Sequence, residues 1–554
     1  MSLLLPHLMV VPIVLPLVAA ALLLLLGEKR KRLKSVLNIS ATFAGLVVAA
    51  TILRRVDGGA AFGEIGVYLA SNWEAPFGIV LVADRLSALM LLLVGVVSFC
   101  AALYAEAAWA RAGVYFHTLF QIQLMGLNGA FLTGDLFNLF VFFEVMLAAS
   151  YGLHLHGSGW PRVRTGLHYI AVNLLASSLF LVGLAVLYGV TGTLSMADIA
   201  EKLTLVPASD HGLLHAGAAI LAMAFLVKAA IWPLNAWLVP AYTATSAPVA
   251  ALFALMTKVG IYALLRLGTL LFSADTGSAT HFGRPVLLYG GLATIAFGVL
   301  GLMAALRLGR IAGFSIIVSS GTLLAALGVG AASVTSAALF YMLSATLSAS
   351  VFFLLVELIE RIGVDGQPQL RDVDVSPGED TNLDDEEVPL VGRAFPISIA
   401  LLGLAFMSCA LLVAGLPPLS GFVAKFSLLT AVLSSEGGVR ATANASMSSA
   451  GWMMLGLLLL SGLAATISLA RAGIRHFWST GGRFALRLKS VEAVAVLTLI
   501  SACILLTVCA EPVMRYTSAT AAGLHAPRSY IETVLSTKAR PRPPQSALER
   551  EGSP

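Results

Sequence analysis

Long stretches of the chain show neither the two-residue alternation of a half-buried strand nor a narrow helical stripe. Runs such as LFNLFVFFEVMLAASYG are apolar around the whole helical circumference, and many reach the roughly 20 residues a helix needs to cross a bilayer. An outer-membrane barrel would alternate polarity in segments of about 10 residues, and the chain has none. The runs predict about fourteen spans, centred near residues 15, 44, 92, 124, 146, 178, 225, 258, 295, 321, 347, 410, 461 and 501. The expected fold is therefore an all-α polytopic membrane protein. An even number of crossings puts both termini on one side.

The polar connections give an orientation. The first run, from Leu3 to Gly27, has no basic residue before it and GEKRKRLK after it. A cleavable signal peptide has the reverse charge order, so a retained first span with its N-terminus outside is expected. Later basic groups fall in the same set of loops: Arg162 and Arg164, Arg307 and Arg310, then Arg471, Arg475, Arg483, Arg487 and Lys489. This follows the positive-inside rule. The outside connection TGTLSMADIAEKLTLVPASDHG is poor in basic residues. The inside loop holding GEDTNLDDEEV is acidic, but acidic residues weigh little on orientation. It reads as a solvated linker or a docking site for a partner subunit. The Pro-rich end ARPRPPQSALEREGSP is expected to be disordered.

Two spans contain breaks. In LVKAAIWPLNAWLVPAYTATSAP, Pro233 removes a backbone donor and clashes with the preceding turn. In AGLPPLSGFVAKF, Pro417, Pro418 and Gly421 interrupt the twelfth span. Irregular backbone at membrane depth survives only inside protein or beside a water-filled cavity. The breaks lie five spans apart, an odd number, so a five-helix unit repeated once would have an upside-down second copy. The expected division is residues 1–110 for helices one to three and 111–272 for a first unit with a broken seventh helix. Residues 273–475 form a second unit with a broken twelfth helix and an acidic loop at 361–393. Residues 476–511 hold the fourteenth span and 512–554 a tail that begins as a surface helix.

The chain is 58% hydrophobic and 11% charged, with mean hydropathy +0.91, against about 25% charged in soluble domains. The net charge of +5 is explained by the basic loops and gives no reason to expect nucleic acid. Cys100, Cys409, Cys503 and Cys509 all sit in apolar runs without metal-ligand spacing. No metal or other cofactor is expected. Walker A, GxGxxG, HExxH and nucleophile-triad patterns are missing from the sequence, which argues against an ATP-driven pump and against an independent enzyme.

Against that apolar background, four ionisable residues lie deep in spans: Glu144, Lys228, Lys258 and Lys425. A charge at the bilayer centre costs roughly 2.5–3.5 kcal/mol on insertion scales, and such groups usually face a bundle interior and pair. Glu144 and Lys228 are the natural pair. At about 6 Å and an effective dielectric near 20, their attraction is about 2.8 kcal/mol. Desolvation of the ammonium opposes it by a comparable amount. A small movement of the carboxylate would then tip whether Lys228 keeps its proton. Arginine could not respond in this way, so the use of lysine favours proton transfer.

Further polar groups are weaker candidates. His168, Asn173, Ser177 and Ser178 lie on the sixth span, with His168 a possible relay. His154 and His156 sit where the fifth span meets the inside loop, as solvent-facing inlet groups or plain interfacial residues. Asp135 and Asn138 open the fifth span; Asp135 would gather cations at the outer mouth or cap the helix. Thr257 and Tyr262 would hold water near Lys258.

The segments GDLFNLFVFFEVMLAASYGL, LVKAAIWPLNAWLVPAYTATSAPVAALFALMTKVGIYALLR and AGLPPLSGFVAKF resemble the membrane antiporter-like subunits shared by respiratory complex I and the Mrp/Pha multisubunit cation/proton antiporters. The resemblance spans roughly residues 1–515, and the FNLFVFFEVM form and the length resemble the D-type member of the Mrp/Pha set. It implies a proton path through glutamate on the fifth span, lysines on the seventh and eighth and an ionisable residue on the twelfth, here Glu144, Lys228, Lys258 and Lys425. The chain departs from relatives that carry histidine near Ser315 and Ser344 and lysine near Ala349. Water held by Ser315, Ser319, Ser344, Thr346 and Ser348 would have to link Lys258 to Lys425.

The resemblance implies a proton-translocating subunit of a Na+(K+)/H+ antiporter in a bacterial inner membrane, with both termini periplasmic. Its partners would be the other subunits of a hetero-oligomeric complex, H+ with Na+ or K+, and membrane lipid. A proton-pumping arm of a NADH:quinone oxidoreductase or membrane-bound hydrogenase is the second reading.

Overall fold

The structure, a computed structural model, describes residues 6–27, 29–58, 64–111, 113–272, 282–365, 397–436, 448–478 and 488–539. The GEDTNLDDEEV loop, Arg483, Arg487 and nearly all of the Pro-rich end lie outside these residues. Within them the chain is helical apart from one small hairpin. The N-terminal part holds α1 (Val11–Leu25), α2 (Lys31–Gly58) and α3 (Arg85–Glu106). Next come α4 (Phe116–Leu132), α5 (Leu136–Leu155), α6 (Trp160–Thr191), α7 (Met196–Lys202), α8 (His211–Lys228), α9 (Leu238–Ala244) and α10 (Ala247–Leu271). They are followed by α11 (Arg284–Ala304), α12 (Leu308–Val329), α13 (Ala332–Asp365), α14 (Ile397–Ala414), α15 (Ser420–Glu436) and α16 (Ser449–Gly473). The chain closes with α17 (Ser490–Val508), α18 (Ala510–His525) and α19 (Arg528–Ser536).

Every expected span centre falls inside a helix. Among the described residues, 12 helices are long and apolar enough to cross a membrane, so the chain is an all-α, multi-pass membrane protein. Burial orders these helices. α10 is buried along its whole length and α12 and α13 nearly so, whereas α2, α6, α11, α14, α16 and α17 turn most of one side outward. The reason lies in the sequence of α10, ALFALMTKVGIYALLR, which carries Lys258 and Arg266, and such charged groups face a bundle interior rather than lipid.

Helices in lipid gain little from hydrophobic burial against one another, so close packing and small residues matter more. The α11–α12 pair shows this. A Cβ on Gly291 would lie 2.4 Å from the Ala325 nitrogen, and one on Gly328 would lie 2.4 Å from the Leu288 nitrogen.

Both expected breaks are present. α8 stops at Lys228 and α9 starts at Leu238, with Pro233 between them. The N–H of Trp232, freed by the break, donates to Thr294 Oγ1 at 2.8 Å. α14 stops at Ala414 and α15 starts at Ser420, with Pro417 and Pro418 between.

Three features differ from expectation. A hairpin, β1 (Gly66–Leu69) with β2 (Val80–Ala83), stands between α2 and α3. α13 runs on to Asp365, past the expected loop start at residue 361. The tail is also docked rather than only lying on a surface. α18 packs against α13, α19 packs against α7, and Tyr516 donates to the Arg85 carbonyl at 2.8 Å. Alternating small and apolar residues on α18, with Thr517, Thr520, Ala521 and Leu524 buried, make that contact.

Candidate functional site

Asp135 starts α5 by accepting the Asn138 N–H at 2.8 Å. This is the N-cap geometry that its position suggested. Burial raises its carboxyl above the ordinary aspartate range, partly opposed by the N–H groups of Asn138 and Phe137. Two and a half turns on, Glu144 sits half-buried, and its Oε1 has no hydrogen-bond partner among the described residues.

Lys228 is the last residue of α8, just before the break, and is 4% exposed. Its ammonium bonds Asn173 Oδ1 of α6, and Asn173 is itself held by its Nδ2 donating to the Tyr169 carbonyl at 2.6 Å. Glu144 acts on Lys228 through space, with no contact ion pair between them. The expected pair is thus a near pair, with Asn173 the direct partner.

Lys258 lies mid-way along α10, 1% exposed, and donates to Ser319 Oγ of α12 at 2.5 Å. Gly260 lets α10 pack closely on α8 beside Lys228. A Cβ there would fall 3.0 Å from Lys228 Cβ and 2.8 Å from the Phe225 carbonyl, so a larger residue would push α8 off α10.

Lys425, on α15, turns back onto the end of α14. Its ammonium donates to the Ala414 carbonyl at 2.9 Å and approaches that of Val413 at 3.5 Å. A cation there meets both the orphan carbonyls and the negative end of the α14 dipole. Gly415 makes room: its φ is +75°, and a Cβ would lie 2.5 Å from Lys425 Cδ.

Between Lys258 and Lys425 a cavity of about 30 Å³ is lined by Ser315, Ser319, Ser344, Ser348, Tyr341 and Lys425, large enough for water. Ser344 and Ser420 share a hydrogen bond at 3.0 Å beside it. Four of the five serine and threonine residues expected to link the lysines therefore line one space. Thr346 is not among them; its hydroxyl donates to the Met342 carbonyl within α13.

Other expectations fare differently. His168 is exposed on α6 and is not brought to the cluster; its buried neighbour Tyr169 is. Ser178 is exposed and bonds its own helix. Thr257 donates to Ala254, and Tyr262 donates to the Phe131 carbonyl at 2.8 Å, so neither serves Lys258. His154 and His156 are buried, not solvent-facing. His156 bonds the Trp109 carbonyl at 2.9 Å. Burial pushes its imidazole below the usual value; the Trp109 carbonyl opposes this and Arg162 adds to it.

Several buried polar atoms surround this chain of charges without a hydrogen-bond partner among the described residues: Gln123 Oε1, Glu144 Oε1, Asn235 Nδ2, Trp237 Nε1, Ser246 Oγ and Ser320 Oγ. Buried polar groups are rarely left unbonded, and ordered water commonly satisfies them.

Two charge clusters escaped the sequence reading. Asp84, the N-cap of α3, holds Arg266 of α10 in a two-bond pair at 2.6 and 2.7 Å. Glu357 accepts from Trp109 at 2.8 Å and from Arg361, which donates to the fully buried Glu492 at 2.5 Å. The Glu357/Arg361 spacing of one helical turn was a readable signal. The link to Glu492 joins α13 to α17 and was not legible.

Two broken helices, each with a lysine beside its break, in a bundle with charges held inside it define the class: a polytopic membrane protein with an ionisable interior. A family model for the NADH:quinone oxidoreductase/Mrp antiporter, TM, matches residues 133–445. The chain is 50% identical over 533 residues to a probable K(+)/H(+) antiporter D subunit of Rhizobium meliloti, covering 96% of this chain and 98% of the relative. It is 33% identical over 543 residues to a Na(+)/H(+) antiporter D subunit of Alkalihalophilus pseudofirmus, covering 96% and 99%. A chain in the structure of the Mrp complex from a Dietzia species superposes with TM-score 0.78 at 27% identity, covering 96% of this chain and all of that one. The chain belongs to the NADH:quinone oxidoreductase/Mrp antiporter transmembrane family.

Proposed function

We propose that the chain is the proton-translocating subunit of a multisubunit monovalent cation/proton antiporter, a transporter component rather than an enzyme. The observation that carries this reading is the row of buried charges, in which Lys228 bonds Asn173, Lys258 bonds Ser319, and a serine-lined cavity leads on to Lys425. Each ammonium is held by a neutral oxygen and not by a contacting carboxylate. A proton can leave such a lysine without stranding a buried anion beside it. The Glu144 carboxylate, half-buried and at a distance, biases Lys228 without locking it.

The helices bearing the breaks are read as the two inverted five-helix units, 111–272 and 273–475, with Lys228 before its break and Lys425 after. The basic loops support an orientation with both termini periplasmic, and the bacterial relatives support a bacterial inner-membrane location. The relatives' names, each that of one lettered component of an antiporter, and the likeness to a chain of an Mrp complex support assembly with other subunits. The relative at 50% identity supports K+ as an exchanged cation, and the one at 33% supports Na+.

The test is a fluorescence antiport assay on inverted membrane vesicles carrying the whole complex, with K+, Na+ and Li+ added separately. Cation-dependent collapse of the proton gradient is expected with K+ or Na+, and its absence with all three would overturn the reading. In the same assay Lys425→Ala is expected to lower the exchange rate at least about tenfold. A Lys425→Ala complex with full antiport would remove Lys425 and its cavity from the path.

A further inference from the structure

We infer that His154 is a proton-loading site at the inner end of α5, with the Thr245 hydroxyl as its reversible partner. This inference rests on the antiporter reading and adds a station to the path before Lys228.

The argument is a count of donors and acceptors. His154 is 1% exposed. Its Nε2 lies 3.1 Å from the Arg162 carbonyl and 3.3 Å from Thr165 Oγ1. A carbonyl only accepts, so Nε2 carries a hydrogen. The Thr165 hydroxyl hydrogen is already directed at the Pro161 carbonyl, 2.8 Å away. On the other side, Nδ1 lies 2.5 Å from Thr245 Oγ1, which is itself 2.8 Å from the Ala241 carbonyl.

When the Thr245 hydroxyl donates to Ala241, its oxygen accepts from Nδ1. Both ring nitrogens then carry hydrogen, and the ring is an imidazolium with every donor satisfied. When the hydroxyl turns toward the ring, it donates to a bare Nδ1, and the ring is neutral. One hydroxyl rotation therefore accommodates either proton state of a buried imidazole. A proton binds the Nδ1 lone pair and later leaves it, and no other bond changes.

Burial and the Arg162 guanidinium near the ring disfavour a lasting imidazolium, so a proton taken up at Nδ1 is passed on rather than stored. The groups facing the ring are Arg162, Thr165 and Tyr169 of α6 and Phe253 of α10, with Tyr169 at 5.7 Å and Phe253 stacked at 6.5 Å. His156 follows two residues on, bonded to Trp109. Arg162 has its Nε on the Ala244 carbonyl at 2.9 Å and interacts through space with Glu357 of α13. Among the described residues no carboxylate contacts the ring, so a proton there is not trapped by an ion pair.

A polar column leads inward from it. Ser150 lies one turn back on α5 and bonds the Tyr169 hydroxyl at 2.8 Å. Asn173, one turn on from Tyr169, holds Lys228. Thr245 stands between α9 and α10, at the far end of the first broken helix. Any shift of α9 against α5 would part Thr245 from His154, which ties proton loading to movement of the break.

The test uses the whole complex in vesicles, with antiport recorded from pH 6 to 9. His154→Gln fills similar space but cannot carry the added proton. It is expected to lower the maximal rate at least about tenfold and to flatten the pH profile, with the complex assembled at wild-type amounts. Thr245→Val should reproduce the altered profile and Thr245→Ser should restore it, which a purely packing role would not do. A wild-type pH profile in assembled His154→Gln overturns the inference.

A pH-difference infrared spectrum of the same complex gives a readout independent of cation exchange. An imidazole band that His154→Gln removes supports proton loading. If wild-type vesicles show no antiport, the antiporter reading fails and this band alone decides whether His154 takes up a proton; its absence overturns the inference.

Discussion

Lys228→Ala is expected to abolish cation-driven proton movement, lowering the rate at least about 100-fold, in a complex that still assembles. Lys228 is the point where α6, α8 and α10 meet. α8 ends on it, Asn173 Oδ1 of α6 accepts a hydrogen bond from it, and Gly260 brings α10 against its Cβ. Removing the amine leaves Asn173 Oδ1 without the donor that it accepts from and Glu144 without the cation that it acts on.

Lys228→Arg is the sharper variant. Arginine keeps the charge and could still bond Asn173, but it does not release its proton in a protein. If Lys228 only ties α8 to α6, the arginine variant should exchange cations at close to the normal rate. If it transfers protons, the variant should be as inactive as alanine. Asn173→Leu, which removes the bonding oxygen and leaves the lysine, is expected to fall between the two. Antiport in vesicles, normalised to the amount of assembled complex, separates these outcomes.

Asp84→Ala should produce the largest loss of stability. The Asp84–Arg266 pair is buried and makes two bonds, Asp84 also accepts the Ser87 N–H at 2.9 Å, and Tyr530 lies over the guanidinium at 5.3 Å. Removing one partner of such a pair strands the other and costs about 3–5 kcal/mol. The N-cap of α3 is lost with it, about 1 kcal/mol more. Asp84→Ala is therefore expected to reduce accumulation in the membrane and to lower the unfolding temperature of the purified complex. Asp84→Leu combined with Arg266→Leu should be milder, since no charge is then left unpaired. Equal damage from the single and double variants would show that the pair contributes mainly through its hydrogen-bonded geometry.

The acid dependence follows from the same site. Burial raises the Asp84 carboxyl, but the Arg266 charge and the bonds from Arg266 and Ser87 outweigh it and hold the group below the ordinary range. A depressed carboxylate contributes stability that is present above the unfolded value, near 3.9, and is lost as pH falls through the folded one. The stability gap between wild type and Asp84→Ala should accordingly be constant from neutral pH down to about 4 and close below it.

Much of the site could be read along the chain because its members are rare. A charge in an apolar run is conspicuous, so Glu144, Lys228, Lys258 and Lys425 stood out one by one. The prolines of each break were equally visible, since Pro233, Pro417 and Pro418 leave a helix little choice. Pairing was harder. Glu144 and Lys228 were expected to pair across about 6 Å, whereas the oxygen bonded to Lys228 belongs to Asn173. Asn173 was one of four polar candidates on the sixth span, and nothing in the sequence set it above His168, Ser177 or Ser178. His168 and Tyr169 show the same difficulty. They are adjacent in sequence, but a helix turns about 100° per residue, so one faces outward and the other the polar column.

Sequence by itself determined which segments are apolar helices, where two of them break and which side chains carry charge into the interior. Each of these is settled locally, by the cost of an unmatched polar group in hydrocarbon or by the ring of a proline. Only the tertiary structure decided which oxygen each ammonium meets, that serines of α12 and α13 enclose one cavity with Lys425, and that Asp84 reaches Arg266 across 182 residues of chain. Those contacts depend on how helices far apart in sequence are rotated against one another. That rotation is fixed by close packing at positions such as Gly260, Gly291 and Gly415, which a linear reading registers only as small residues.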